Sequence, residues 1–170
     1  MFIMWCDIDK SKMPIVKVNF KDGSQVETEF DELLNEWLSF YNEKIPFYFV
    51  FDTRNLNNLN IKYSYKMSSF IKKLKKLEKQ YLLGSIIIVK NQYIRFLLNI
   101  VFSITRPVAN VYLFSNHADV MISEDIQNIN TVKDFNQVII DYKSNFTCIK
   151  SRCQSVAEEK EQQKLVSNKS

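Results

Sequence analysis

Glycine, proline and histidine are scarce in this sequence. Its 170 residues include 2 Gly, 3 Pro and 1 His, which leaves no glycine-rich phosphate loop of the P-loop or dinucleotide-binding kind. His117 has no serine or cysteine motif beside it, and the spacing of Cys148 and Cys153 matches no recognised zinc motif. The sequence therefore predicts no catalytic residue, no metal site and no cofactor, and we expect a protein that is not an enzyme.

Long apolar runs and a secretory signal are missing as well. The longest candidate, 93–104, contains Arg95 and Asn99 and is shorter than the ~20 residues that a transmembrane helix needs. The apolar start of the chain lacks the basic segment of a signal peptide and is interrupted by Asp7. The cysteine count is odd, which argues against a full disulfide framework. These features predict a cytoplasmic location and no transmembrane segment.

Apolar patterns alternate between strand and helix along the chain and predict the α/β class. Segments 2–8 and 14–20 are typical of a strand hairpin with 9–13 as its loop. Continuous apolar runs predict buried strands at 47–51, 85–89 and 108–114. Helical spacing predicts helices at 28–44, 61–80, 92–105 and 131–142. We expect a mixed sheet of about five strands, the N-terminal hairpin followed by parallel strands, with four main helices.

One domain accounts for most of the chain. With 46% hydrophobic and 14% aromatic residues, a chain of this length can bury one core. Residues 1–145 are predicted to form this domain. Residues 146–170 have few apolar side chains and no periodicity, so we predict a disordered or frayed helical tail there.

The order of elements resembles that of the STAS domain, the fold of bacterial anti-sigma factor antagonists. The resemblance covers about 1–145 and rests on a buried strand ending in Phe51-Asp52, a polar loop into a helix at 61–77, a strand at 85–89 and a helix that opens with Asn91-Gln92. It implies a regulatory module that binds a protein partner. In that family a serine at the start of the helix is phosphorylated, and Ser64 matches this serine, although the neighbouring acid and glycine are absent.

A polar loop follows the predicted central strand and is the first candidate site. Asp52, Thr53, Arg54 and Asn55 stand at the carboxyl end of this strand, which is where open α/β sheets bind ligands. The same residue types also serve ordinary turns. Together with Ser64 and Ser68 at the start of the next helix, these residues are the predicted partner-binding surface.

The helix at 92–105 is apolar over most of its circumference, and a helix that covers one side of a sheet needs only about a third of its surface apolar. We therefore expect burial on a second side and predict an interaction helix with Phe96, Ile100 and Phe102 as its contacts. A neighbouring helix, a second copy of the chain in a homodimer, another protein or a lipid could supply that contact. The alternative function is thus the binding of a lipid or another small apolar ligand, which a continuous apolar cavity between sheet and helices would favour.

The predicted helix at 61–80 carries seven lysines against Glu78, a local net charge of plus six. The lysines are Lys62, Lys66, Lys72, Lys73, Lys75, Lys76 and Lys79. Such a run is ordinarily a solvated face, but it could also hold an acidic protein, an anionic membrane or nucleic acid. The aromatic residues of this helix lie mostly on the predicted buried stripe and leave no stacking platform, so nucleic acid is not an expected partner.

Overall fold

The structure is a computed structural model that describes residues 5–21, 27–115 and 119–151. Six strands form one sheet: β1 (Cys6–Lys12), β2 (Ile15–Phe20), β3 (Phe47–Asp52), β4 (Leu82–Ile88), β5 (Val111–Phe114) and β6 (Phe146–Ile149). The helices are α1 (Glu27–Asn42), α2 (Lys62–Leu74), α3 (Gln92–Ile104), α4 (Val120–Gln127) and α5 (Val132–Asp141), and a 3-10 turn at Lys143–Asn145 precedes β6. Within these described ranges, no helix has both the length and the apolar character needed to cross a bilayer.

The strands lie in the sheet in the order in which they occur along the chain. β1 and β2 form an antiparallel hairpin, β2 to β5 are parallel, and β6 is antiparallel to β5. The predicted α/β class, with an N-terminal hairpin followed by parallel strands, is confirmed. The described residues contain six strands and five helices, one more of each than the prediction.

The two faces of the sheet carry different helices. Successive right-handed crossovers in one direction place their helices on one side of the sheet. α1, α2 and α3 accordingly share a hydrophobic core with one face of the sheet, which we name the front face. α4 and α5 follow the last parallel strand and cover the opposite, back face. Side chains of β3 alternate accordingly, with Phe49 and Phe51 on the front face and Val50 on the back face.

Polar side chains fix the beginnings of three helices. The side chain of Asn91 accepts a hydrogen bond from the backbone N–H of Tyr93 at 2.8 Å and starts α3. Asp119 caps α4 in the same way. At α5, Thr131 and Asp134 form the reciprocal capping box that the sequence predicts.

α2 is shorter than the predicted helix at 61–80. It ends at Leu74, whose carbonyl accepts a hydrogen bond from Nε2 of Gln80 at 2.8 Å. Gln80 lies just before β4, so this bond stabilises the return of the chain to the sheet. Lys75, Lys76 and Lys79 consequently follow the helix instead of extending its outer face.

Both ends of the sheet differ from the prediction. The hairpin turn lies at Met13–Pro14, joined by a cis peptide bond, and the predicted loop 9–13 is mostly strand. At the other edge, β6 uses the first four residues of the predicted tail 146–170, so the tail boundary at 146 is wrong. The ring of Phe146 lies 6.2 Å from that of Tyr112 and 6.0 Å from that of Phe114. The prediction for 152–170 lies outside the described residues.

Candidate functional site

An apolar cavity of about 130 Å³ lies between the front face of the sheet and helices α1, α2 and α3. α1 supplies Phe30, Leu33 and Trp37, and α3 supplies Ile94, Leu97, Leu98, Val101 and Phe102. The loop before α2 and α2 itself add Leu56, Leu59, Tyr63, Ser64, Met67 and Ile71. The sheet and its loops complete the wall with Trp5, Phe20, Phe51, Thr53, Leu82, Ser85, Ile87, Pro107, Val108, Ala109 and Val111.

The wall of this cavity presents hydrocarbon and carries no charged side chain among the described residues. Two of its hydroxyl groups already have partners. Oγ1 of Thr53 donates to the carbonyl of Ile88 at 2.7 Å, and Oγ of Ser64 donates to the carbonyl of Leu97 at 3.3 Å. Because a buried polar group strongly prefers to keep its hydrogen bond, the cavity suits a neutral, apolar molecule.

Aromatic residues form much of the rigid side of the cavity. Trp5 is buried against Phe20 and Phe30, with ring centroids 5.0 and 5.8 Å away. The ring of Trp37 packs edge-on against Phe49 at 4.9 Å. Nε1 of Trp5 is buried and finds no hydrogen-bond acceptor among the described residues.

A single layer of side chains separates part of the cavity from solvent. Leu59, Met67, Leu98 and Phe102 line the cavity and are themselves half-buried. They belong to α2, α3 and the loop before α2. Met67 has a flexible side chain that adapts to irregular space. These four are the least buried residues of the described wall.

The predicted polar loop contains an ion pair. Arg54 donates from Nε to Oδ1 of Asp52 at 3.0 Å and from Nη2 to Oδ2 at 2.8 Å, and Nε2 of Gln127 donates to Oδ2 at 3.1 Å. Burial would raise the pKa of the Asp52 carboxyl, but the hydrogen bonds from Arg54 and its charge outweigh burial and hold the pKa below its usual range.

The four predicted loop residues do not form one exposed surface. Thr53 is buried, Asp52 and Arg54 are half-buried, and of the four only Asn55 is exposed. Asp52 and Arg54 mainly satisfy each other, which is the ordinary turn chemistry that the sequence also allows. His117 lies outside the described residues.

The two serines of the predicted partner surface are inaccessible in the folded domain. Ser64 is 3% exposed and Ser68 is 2% exposed, and Oγ of Ser68 donates to the carbonyl of Ser64 at 2.8 Å. Their small side chains let α2 approach α3 closely. A partner or a kinase cannot reach them unless α2 and α3 separate. The structure therefore conflicts with the prediction that Ser64 and Ser68 belong to a partner-binding surface, and with the prediction that Ser64 is a phosphoacceptor.

The predicted contacts of the apolar helix at 92–105 differ in their burial. Phe102 is half-buried and lines the cavity, Ile100 is half-buried against the front core, and Phe96 is 51% exposed. The predicted trio is therefore divided between the interior and the surface. The unusual apolar circumference of α3 was the one sequence signal for the cavity.

Comparison with known protein families, with characterised proteins and with solved structures returned no match. The function is therefore argued from the geometry of the described residues.

Proposed function

We propose that this domain binds a small, neutral, apolar ligand in the cavity between α1, α2, α3 and the front face. The observation that carries the proposal is the cavity itself, about 130 Å³ with a wall that is almost entirely hydrocarbon. A continuous apolar space between sheet and helices is the feature that distinguishes this function from that of a module with a close-packed core.

The size of the cavity indicates the ligand. An engineered apolar cavity of about 150 Å³ remains dry and binds benzene or xenon, and this cavity is of similar volume. An empty cavity destabilises a protein by about 24 cal/mol per Å³, so 130 Å³ corresponds to about 3 kcal/mol. A ligand of one ring or a short hydrocarbon chain recovers part of that free energy. A longer lipid fits only if side chains of the wall move.

The test is the binding of benzene and toluene followed by amide and methyl NMR shifts. A filling variant, Val101→Met, places a longer flexible side chain on the cavity wall. Its matched control is Val138→Met, because Val138 is also a buried helical valine but lies in the back core. We expect saturable shifts around the cavity in the native protein and in Val138→Met, and weaker binding in Val101→Met. Shifts that are absent, or equal in both variants, would refute the proposal.

A STAS-like regulatory module that binds a protein partner is the second candidate. The strand order and the hairpin followed by parallel strands support it through the resemblance described above. On this proposal the partner contacts the exposed side of the polar loop at Arg54 and Asn55, without Ser64. Replacing Asn55 with arginine should then abolish capture of the partner from a lysate without affecting toluene binding, which separates the two proposals.

A further inference from the structure

Helix α3 exposes an apolar stripe along its length. Tyr93, Phe96, Ile100 and Ile104 follow one another at intervals of three, four and four residues, which places them on one side of the helix. Tyr93 and Phe96 are 41% and 51% exposed, and Ile104 is 39% exposed, while Ile100 between them is half-buried against the front core. This stripe lies beside the buried face of α3 that lines the cavity.

α2 presents a matching row next to this stripe. Tyr65, Ser69, Lys72 and Lys76 recur at intervals of four, three and four residues along α2 and the turn that follows, and all four are exposed. The neighbouring side of α2, with Ser64 and Ser68, packs against α3. The exposed row of α2 therefore adjoins the exposed stripe of α3. We name the two together the α2–α3 surface.

The carboxyl ends of both helices lie together. Nζ of Lys75 donates to Oγ1 of Thr105 at 2.9 Å, and Thr105 directly follows the last residue of α3. Lys72 and Lys76 flank Lys75, and Ile104 precedes Thr105. Apolar and cationic side chains thus occur side by side at this end of the α2–α3 surface.

The lysines along α2 fall into two groups. Near its start, Nζ of Lys66 pairs with Glu27 at 3.0 Å and with Asp31 at 2.8 Å, both in α1, and Lys62 also approaches Glu27. At its other end, Lys72 and Lys76 have no acidic group within 4.0 Å in the described part of the chain. Their charge therefore remains available to an anionic partner.

The back of the domain provides a contrast. Val120, Met121 and Ile140 are also exposed there, but acidic residues stand on the same helices, including Glu124 and Asp141. Exposed apolar side chains occur on both faces, but α4 and α5 carry Lys133 against Glu124, Asp125, Asp134 and Asp141. At the end of α2, by contrast, Lys72, Lys73, Lys75 and Lys76 lie close together and are exposed. This combination of aromatic, aliphatic and lysine side chains is typical of elements that lie in a membrane interface.

We propose that the α2–α3 surface docks on an anionic lipid bilayer. Lys72 and Lys76 contact the anionic headgroups, while Tyr65, Phe96 and Ile104 enter the interfacial region with their apolar parts. The membrane surface is the occupant that matches both the positive charge and the exposed hydrocarbon. This inference is independent of the ligand proposed for the cavity, since a domain with a filled cavity would present the same surface.

The test is co-sedimentation with vesicles of phosphatidylcholine alone and with about one third phosphatidylserine. Each lysine near an anionic surface contributes about a fivefold increase in binding. We expect the double variant Lys72→Gln/Lys76→Gln to bind the anionic vesicles about 25-fold more weakly. The charge-matched control, Lys133→Gln/Lys143→Gln, alters α5 and the turn before β6 and should retain most of the binding. Increasing salt should also release the native protein.

A second matched pair tests the apolar contribution. Ile104→Gln removes an exposed isoleucine from α3, and Ile140→Gln removes one from α5. We expect a severalfold loss of vesicle binding for the first and little change for the second. Equal binding to neutral and anionic vesicles would overturn the proposal, as would equal losses within either pair. A stable dimer in light scattering that Ile104→Gln dissociates would also overturn it, because the surface would then belong to a second copy.

Discussion

Filling the cavity should affect stability in the opposite direction from filling the packed back core. Val101 in α3 borders the cavity, whereas Val138 in α5 packs against the other side of the sheet. The substitutions Val101→Met and Val138→Met make the same chemical change in the same secondary structure. Their effects on helix propensity therefore cancel in the comparison, and what remains is the space around each side chain.

The magnitude follows from the cavity volume. The whole of the 130 Å³ corresponds to about 3 kcal/mol at about 24 cal/mol per Å³. The added atoms of Val101→Met occupy part of it, so we expect the free energy of unfolding to stay unchanged or to rise by about 1 kcal/mol. At Val138 the added atoms enter a packed region, where overpacking costs about 1–3 kcal/mol.

Urea unfolding followed by circular dichroism measures both values. The expected difference between the free energies of unfolding of the two variants is about 1–4 kcal/mol. Equal destabilisation by both variants would refute the reasoning, because it would mean that the space beside Val101 is as densely packed as the back core.

Three further predictions concern groups outside the cavity wall or at its edge. Ser64→Asp should destabilise the domain by about 3 kcal/mol or more, because it buries a charge without a partner. The control Ser69→Asp changes an exposed serine of the same helix and should alter stability by about 0.5 kcal/mol. Similar unfolding midpoints for the two variants would contradict the burial of Ser64. Asp52→Asn should lower the free energy of unfolding by about 1–2 kcal/mol at pH 7, because it removes the partner of Arg54. Since the pKa of Asp52 is held below its usual range, this difference should shrink as the pH falls below about 4. Urea unfolding at pH 7 and below about pH 4 measures the difference, and a difference that does not change with pH would contradict the role of the pair. Burial, assisted by Glu and Asp side chains nearby, raises the pKa of Cys6 to about 11. In a variant whose other cysteines are replaced by serine, the reaction of Cys6 with a disulfide reagent at pH 8 should therefore be limited by the rate of unfolding. A reaction at the rate of a free thiol would contradict this prediction.

Local patterns were sufficient for much of the fold. Continuous apolar runs such as 47–51 identified strands, because burial on both faces leaves no polar position in the run. Helical spacing identified helices, because burial on one face repeats apolar residues every three or four positions. The capping box at Thr131 was equally local. These features do not depend on which elements later meet.

The features that the sequence did not reveal depend on tertiary contacts. α2 ends at Leu74 because Gln80 binds its last carbonyl, and β6 exists because β5 offers a free edge beside Phe146. Ser64 is polar and stands near a helix start, which suggested exposure, yet the position of α3 buries it. The cavity arises from how three helices pack against the front face, and only the composition of α3 hinted at it.

Xenon binding monitored by methyl NMR tests the central claim most directly, because xenon is neutral, needs no hydrogen bond and occupies dry apolar cavities of this size. The cavity predicts saturable shifts that are largest for the methyl groups of Leu97, Val101 and Ala109, with little change at Ile126 in the back core. Shifts that are absent, or equal in both cores, would contradict the existence of a ligand cavity beneath α3.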